Sequence, residues 1–318
     1  MTEPPTTPPQ DSLSPAPDET TEPAKRRGYR TPLIIVAIVL LFLALVTAIV
    51  FLVIYLGDLK EAEARIDRQE QQIEEQKQLI EKKETFGAAM TGLVETTAKF
   101  NGVLMSDVIP FESYELLGAR GWAHRWQGDK LDGDIADVGT AVTALEEQLA
   151  AASIQSSTNA TGTTYEAITD QLGGGFVASI VDNTADTLCE GDVLACVFSD
   201  DPYTVHFDAG DASQPYMKDW QRTGVAYHEF AHVLQMTNPE PTDAALESFG
   251  GDGETMADCF ALTYLPGWTL DHRVFINRYE YWDVSIGYGY TCNEAQRQVV
   301  RDWYSQLGFQ SRPITQDR

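Results

Sequence analysis

The chain has 318 residues, 43% of them apolar, enough for one ordinary core with extensions. Its formal net charge of −26 leaves no basic patch beyond one short cluster near the N-terminus. That balance speaks against a nucleic-acid partner and predicts an acidic surface that favours basic or neutral ligands.

Residues 1–31 are rich in Pro, Thr, Ser, Asp and Glu and cannot offset their ordering entropy by burial, so they read as a disordered tail. The tail ends in the juxtamembrane cluster Lys25, Arg26, Arg27 and Arg30. Residues 32–56 then carry no charged side chain. At about 1.5 Å per residue the run crosses the roughly 30 Å hydrocarbon core of a membrane. Basic residues precede it and Asp58, Glu61 and Glu63 follow, which predicts a single-pass signal anchor in the cytoplasmic membrane, N-terminus inside and the remainder extracellular. A cleaved signal peptide has a shorter apolar region, about 7–15 residues, and a small-residue cleavage site, unlike Ile54-Tyr55-Leu56-Gly57.

In 57–85, Leu59, Ile66, Ile73 and Ile80 recur every seventh residue among Glu, Gln, Lys and Arg, giving a helical stalk. The companion positions Ala62, Gln69, Gln76 and Lys83 make a thin seam, so a coiled coil joining copies of the chain and a solvated single helix both remain open. Residues 86–164 read as a helical region and linker. Phe86, Met90, Leu93, Val94 and Phe100 form one apolar face, and Ile135, Val138, Val142, Leu145 and Leu149 form another; the two are expected to pack as an antiparallel pair. Ser153 to Thr164 is a polar loop, in which Asn159-Ala160-Thr161 reads as plain loop sequence.

Within 165–318 three short strands are expected near 175–181, 193–198 and 203–207, and the last is the candidate edge strand beside a cleft. Next comes His228-Glu229-Phe230-Ala231-His232, flanked by Val225, Ala226, Val233 and Leu234 and stopped by Asn238-Pro239. On a helix, His228 and His232 project from one face and offer two imidazoles to one metal ion. Glu229 lies about 100° around the axis, placed to act as general base on a zinc-bound water. The competing reading is a chance match with two satisfied core histidines.

A second helix starts at Asp252-Gly253 and stops at Pro266-Gly267, with Glu254 and Asp258 on one face. This spacing resembles the gluzincin metallopeptidases. More narrowly, His-Glu-Phe-Ala-His-Val-Leu-Gln followed by Glu-Thr-Met-Ala-Asp-Cys is similar to a family of neutral zinc metallopeptidases whose members are often membrane-anchored; the similarity covers about 203–308. Ala231 and Val233 depart from the commoner pattern, which has glycine and a further histidine there. The resemblance implies an α+β fold with a zincin-like catalytic domain, one Zn2+ per chain on His228, His232 and Glu254, Asp258 holding the free ring N–H of His228, and a peptide or protein substrate. A non-catalytic envelope scaffold keeping that fold, and an amidase acting on cell-wall material, are the two rival readings.

For the oxyanion donor the downstream candidates are His272, Tyr281, Tyr288 and Tyr290, none in a motif. Tyr279, Tyr281, Trp282, Tyr288 and Tyr290 make an aromatic cluster that reads more readily as packing than as a cleft lining. Four cysteines follow the membrane span. Cys189 and Cys196 flank a short acidic turn they are able to close, leaving Cys259 for Cys292, although three pairings are formally open.

Overall fold

The computed structural model describes residues 30–314 apart from Glu190, Asp192, Tyr290 and Thr291, and its fold is α+β, mostly helical with two small sheets. The tail with Lys25, Arg26 and Arg27 lies outside the described residues, as does the candidate Tyr290. The chain divides into two compact units, Met1–Ile73 and Glu74–Arg318.

The first unit holds the start of α1 (Arg30–Ala98), whose apolar stretch is long enough to cross a membrane as a single-pass anchor. Span, stalk and the beginning of the next segment form one helix rather than separate pieces, because no proline interrupts 33–98 and the lone glycines there are tolerated. Leu59, Ile66 and Ile73 are exposed along it.

In the second unit the end of α1 joins α2 (Phe111–Ala123) and α3 (Gly128–Gln155). The expected antiparallel pair is not what forms. Lys82 reaches Asp132 at 2.5 Å and Lys99 reaches Glu146 at 3.2 Å, so α1 and α3 run the same way. The reversal belongs to α2: Gly118 lies by Met90 and Gly121 against the Phe86 ring. Loop residues 99–110 and 124–127 supply the two turns that the apolar periodicity did not mark. Leu93, Phe100, Val138 and Leu145 are at most 2% exposed, so both predicted faces enter the core.

After the 156–163 loop, α4 (Thr164–Gly173) leads into β1 (Ala178–Asp182), α5 (Ala185–Leu188), β2 (Ala195–Phe198) and β3 (Asp201–Asp208). The strand order is β1-β3-β2, with β1 parallel and β2 antiparallel to β3. The candidate edge strand Tyr203–Phe207 is therefore the central one. Its two neighbours take both backbone edges, with Val205 and Phe207 fully buried, and among the described residues the free edge near the helix carrying His228 and His232 is β2.

α6 (Ala209–Ala212) precedes α7 (Asp219–Thr237), which carries the His-Glu-x-x-His motif. Val225, Ala226, Phe230, Ala231, Val233 and Leu234 are at most 3% exposed, packing α7 among α4, α9 (Gly253–Tyr264) and the sheet. Each large apolar side chain so buried contributes about 1.5–3 kcal/mol, and Phe230→Ala would cost about 3–5 kcal/mol. Asn238 stops α7 and donates to the Leu104 and Leu234 carbonyls; α8 (Pro239–Leu246) follows with its proline in the first turn.

β4 (Asp271–Phe275) and β5 (Tyr281–Ser285) form an antiparallel hairpin, and α10 (Glu294–Tyr304), opened by the Asn293/Gln296 capping box, closes the unit against α8 and α9. The aromatic cluster is not packed away: Tyr279 is 88% exposed, and Phe275, Tyr281, Trp282 and Tyr288 are also exposed on or next to the hairpin. Disulfides join Cys189 to Cys196 and Cys259 to Cys292.

Candidate metal centre

Two helices build the site. α7 presents His228 and His232 one turn apart. α9 is started by Asp252, whose carboxylate caps the backbone N–H groups of Glu254 and Thr255 and so fixes Glu254 in the first turn. His228 Nε2 and His232 Nε2 are 3.1 Å apart, and Glu254 Oε2 lies 3.1 Å from the first and 3.0 Å from the second.

That near-equilateral triangle fits a metal ion. Donors bound at 2.0–2.1 Å in a tetrahedron stand about 3.3–3.4 Å from one another, so a small outward adjustment seats all three. The tautomers agree as well. Asp258 only accepts, so the 2.8 Å contact from His228 Nδ1 is a donated N–H. Gln235 spends its amide N–H on the Gly253 carbonyl, which turns its Oε1 to accept from His232 Nδ1 at 2.9 Å. Both Nε2 atoms therefore face the triangle together with Glu254 Oε2, a donor set that suits a divalent ion with imidazole and carboxylate ligands.

Without a metal, a proton on His228 takes the place of the cation beside Glu254. Burial alone would lower the His228 pKa, but the contacts with Asp258 and Glu254 outweigh it and raise it to about 10 without metal. Burial opposes ionisation of Glu254 too, yet the two histidines hold its carboxyl well below the ordinary range. Glu229 stands apart. It is 6% exposed, lies outside the triangle, and burial pushes its pKa up despite the nearby imidazoles.

Two cavities flank the triangle and share His228, Glu229 and Tyr288. One, of about 250 Å3, has apolar walls from Leu194, Val225, Ala261, Trp268 and Ile286. The other, of about 170 Å3, runs along Ala195, Cys196 and Val197 of β2. Trp268 forms the first cavity's floor because residue 224 is glycine: a Cβ there would stand 2.1 Å from the indole.

Of the oxyanion candidates, the structure brings Tyr288 to the centre. Its ring stacks 6.0 Å from His228, and burial, then the negative charge of the Glu254 carboxylate, pushes its phenol up to about 12, so it stays a donor. Its backbone N–H also donates to Asp258 Oδ2 at 2.8 Å. This close approach needs Gly287, at φ 109°, where a Cβ would come 2.5 Å from Asp258 Oδ1. His272 and Tyr281 are elsewhere, His272 against Trp268 and Tyr281 beside Phe275 and Arg273 on the hairpin. Sequence reasoning missed Gln235, whose only signal is its place three residues after His232, and it missed the β2 edge. Comparison of the chain with family models, with curated proteins and with solved structures returned no match.

Proposed function

We propose that this chain is a zinc-dependent metallopeptidase with a zincin-like catalytic domain, tethered by α1 and working outside the cytoplasmic membrane. The observation that carries this reading is the His228–His232–Glu254 triangle with a buried, unligated Glu229 beside it. A three-ligand N2O site leaves a fourth position open, and zinc bound there supplies a Lewis acid that polarises a carbonyl and acidifies water. A site built only for structure closes its coordination and has no use for a buried carboxylate next to it.

In this mechanism an extended peptide lies along the free edge of β2, its backbone pairing with the strand and one apolar side chain entering the Trp268-floored cavity. Glu229, its basicity raised by burial, takes the proton of the attacking water and passes it to the leaving amine. The Tyr288 phenol, still protonated at neutral pH, donates to the developing oxyanion. Asp258 and Gln235 keep both histidines in the ligating tautomer. The two disulfides support an oxidising compartment, and the basic residues ahead of the apolar run support an inside N-terminus.

The test is hydrolysis of a peptide library by the full chain and by Glu229→Gln. Cleavage by the wild type, lost in a variant that retains its zinc, upholds the reading. Zinc-loaded wild type that cuts no peptide, but opens amide bonds in cell-wall material, transfers the mechanism to the amidase reading; inactivity on both leaves only the scaffold.

A further inference from the structure

The second unit contains another cavity, of about 550 Å3, that shares no residue with the metal cleft. Its size falls in the roughly 300–1,000 Å3 range of small-molecule sites. Phe86 and Met90 of α1, Leu131 of α3 and Ile314 near the C-terminus form the walls. These walls are apolar, so a peptide drawn into them would leave its N–H and C=O groups unpaired. Hydrocarbon has no such cost.

The mouth is chemically different. Trp122 and Trp126 line it yet remain 49% and 67% exposed. The Lys83 ammonium sits 3.4 Å from the centre of the Trp126 ring, and the Arg125 guanidinium 4.3 Å from that of Trp122. Lys82 next door is neutralised by Asp132, whereas among the described residues Lys83 and Arg125 form no ion pair. Two cations held on indole faces at the opening of an apolar pocket, on a chain of net charge −26, make a local site for one anionic head above one hydrocarbon tail.

We propose that this cavity binds a single-chain amphiphilic carboxylate, its tail among α1, α2 and α3 and its carboxylate at Lys83 and Arg125. The assignment is independent of the metal centre. Gly87 provides the decisive variant: it lines the cavity, and a Cβ there meets nothing within 4 Å. Gly87→Leu should therefore fill the pocket while favouring the helix.

The experiment photolabels the full chain, held in an amphipol, with a diazirine-bearing analogue of laurate and maps the adducts by mass spectrometry. Labelling is expected on the 86–90 and 122–131 segments, displaced by laurate but not by dodecanol. Gly87→Leu should reduce it at least ~10-fold, and Lys83→Gln with Arg125→Gln should weaken laurate competition by about 10-fold, as loss of charge-assisted contacts does. Labelling confined to the apolar stretch of α1, or unchanged in Gly87→Leu, overturns the site. Dodecanol competing as well as laurate overturns the anionic head.

Discussion

The floor and the rim of the candidate metal cleft are built on different principles. The floor, α7 and α9, holds Glu229 and Asp258 buried and its histidines cross-braced: Asp258, 1% exposed, is fixed by two donors, and each histidine has its second nitrogen occupied. The rim consists of a free strand edge, a glycine-dependent turn and an exposed tyrosine, with the Cys189–Cys196 disulfide beside the strand. Under the proposed function the floor would set which reaction takes place, and the rim what enters and how the developing charge is met.

Substitutions can break that division. The largest effect belongs to the floor: Glu229→Gln should lower kcat by about 10²–10⁴-fold with zinc retained, read by steady-state cleavage and metal analysis. Tyr288→Phe tests the rim's one chemical role. A fall in kcat of about 10²-fold at unchanged zinc affinity is expected, and a change in zinc affinity instead would make Tyr288 part of the floor.

Asp258→Ala should weaken zinc by roughly 10–100-fold in a chelator competition, and Gln235→Ala toward the lower end of that range, since a neutral amide holds imidazole less firmly than a carboxylate. Equal losses would show that the two braces do not differ. Gly287→Ala should cost about 1–3 kcal/mol in thermal unfolding through its left-handed backbone and, by displacing the Tyr288 turn, lower kcat as Tyr288→Phe does. An unchanged kcat would mean that the turn does not position the phenol.

The same division explains what the sequence made legible. His228 and His232, and likewise Glu254 and Asp258, were readable because helical spacing puts each pair on one face of its helix, with Asn238-Pro239 stopping α7 and Asp252 capping α9; that the two faces meet was implied by the resemblance to gluzincins. The three strands were readable as strands, but their order was not: β3 became central because β1 returned parallel to it, a choice made by the α5 connection and by burial of Val205 and Phe207. The α1–α3 direction failed for a similar reason, since α2 has its own short apolar face and intervened. Tyr288 could not be separated from Tyr281, His272 or Tyr290 because its place depends on Gly287 and Asp258 meeting across 29 residues of chain. Exposed aromatics on β4–β5 carry no sequence mark that distinguishes them from packed ones.

The most direct test is the zinc content of the purified full chain, followed together with peptide cleavage through chelation and reloading. One zinc per chain is expected, with activity that falls in step with its removal and recovers when zinc is added back. Cleavage that survives complete loss of zinc, or a chain that neither holds zinc nor gains activity when it is supplied, would contradict the proposed zinc mechanism.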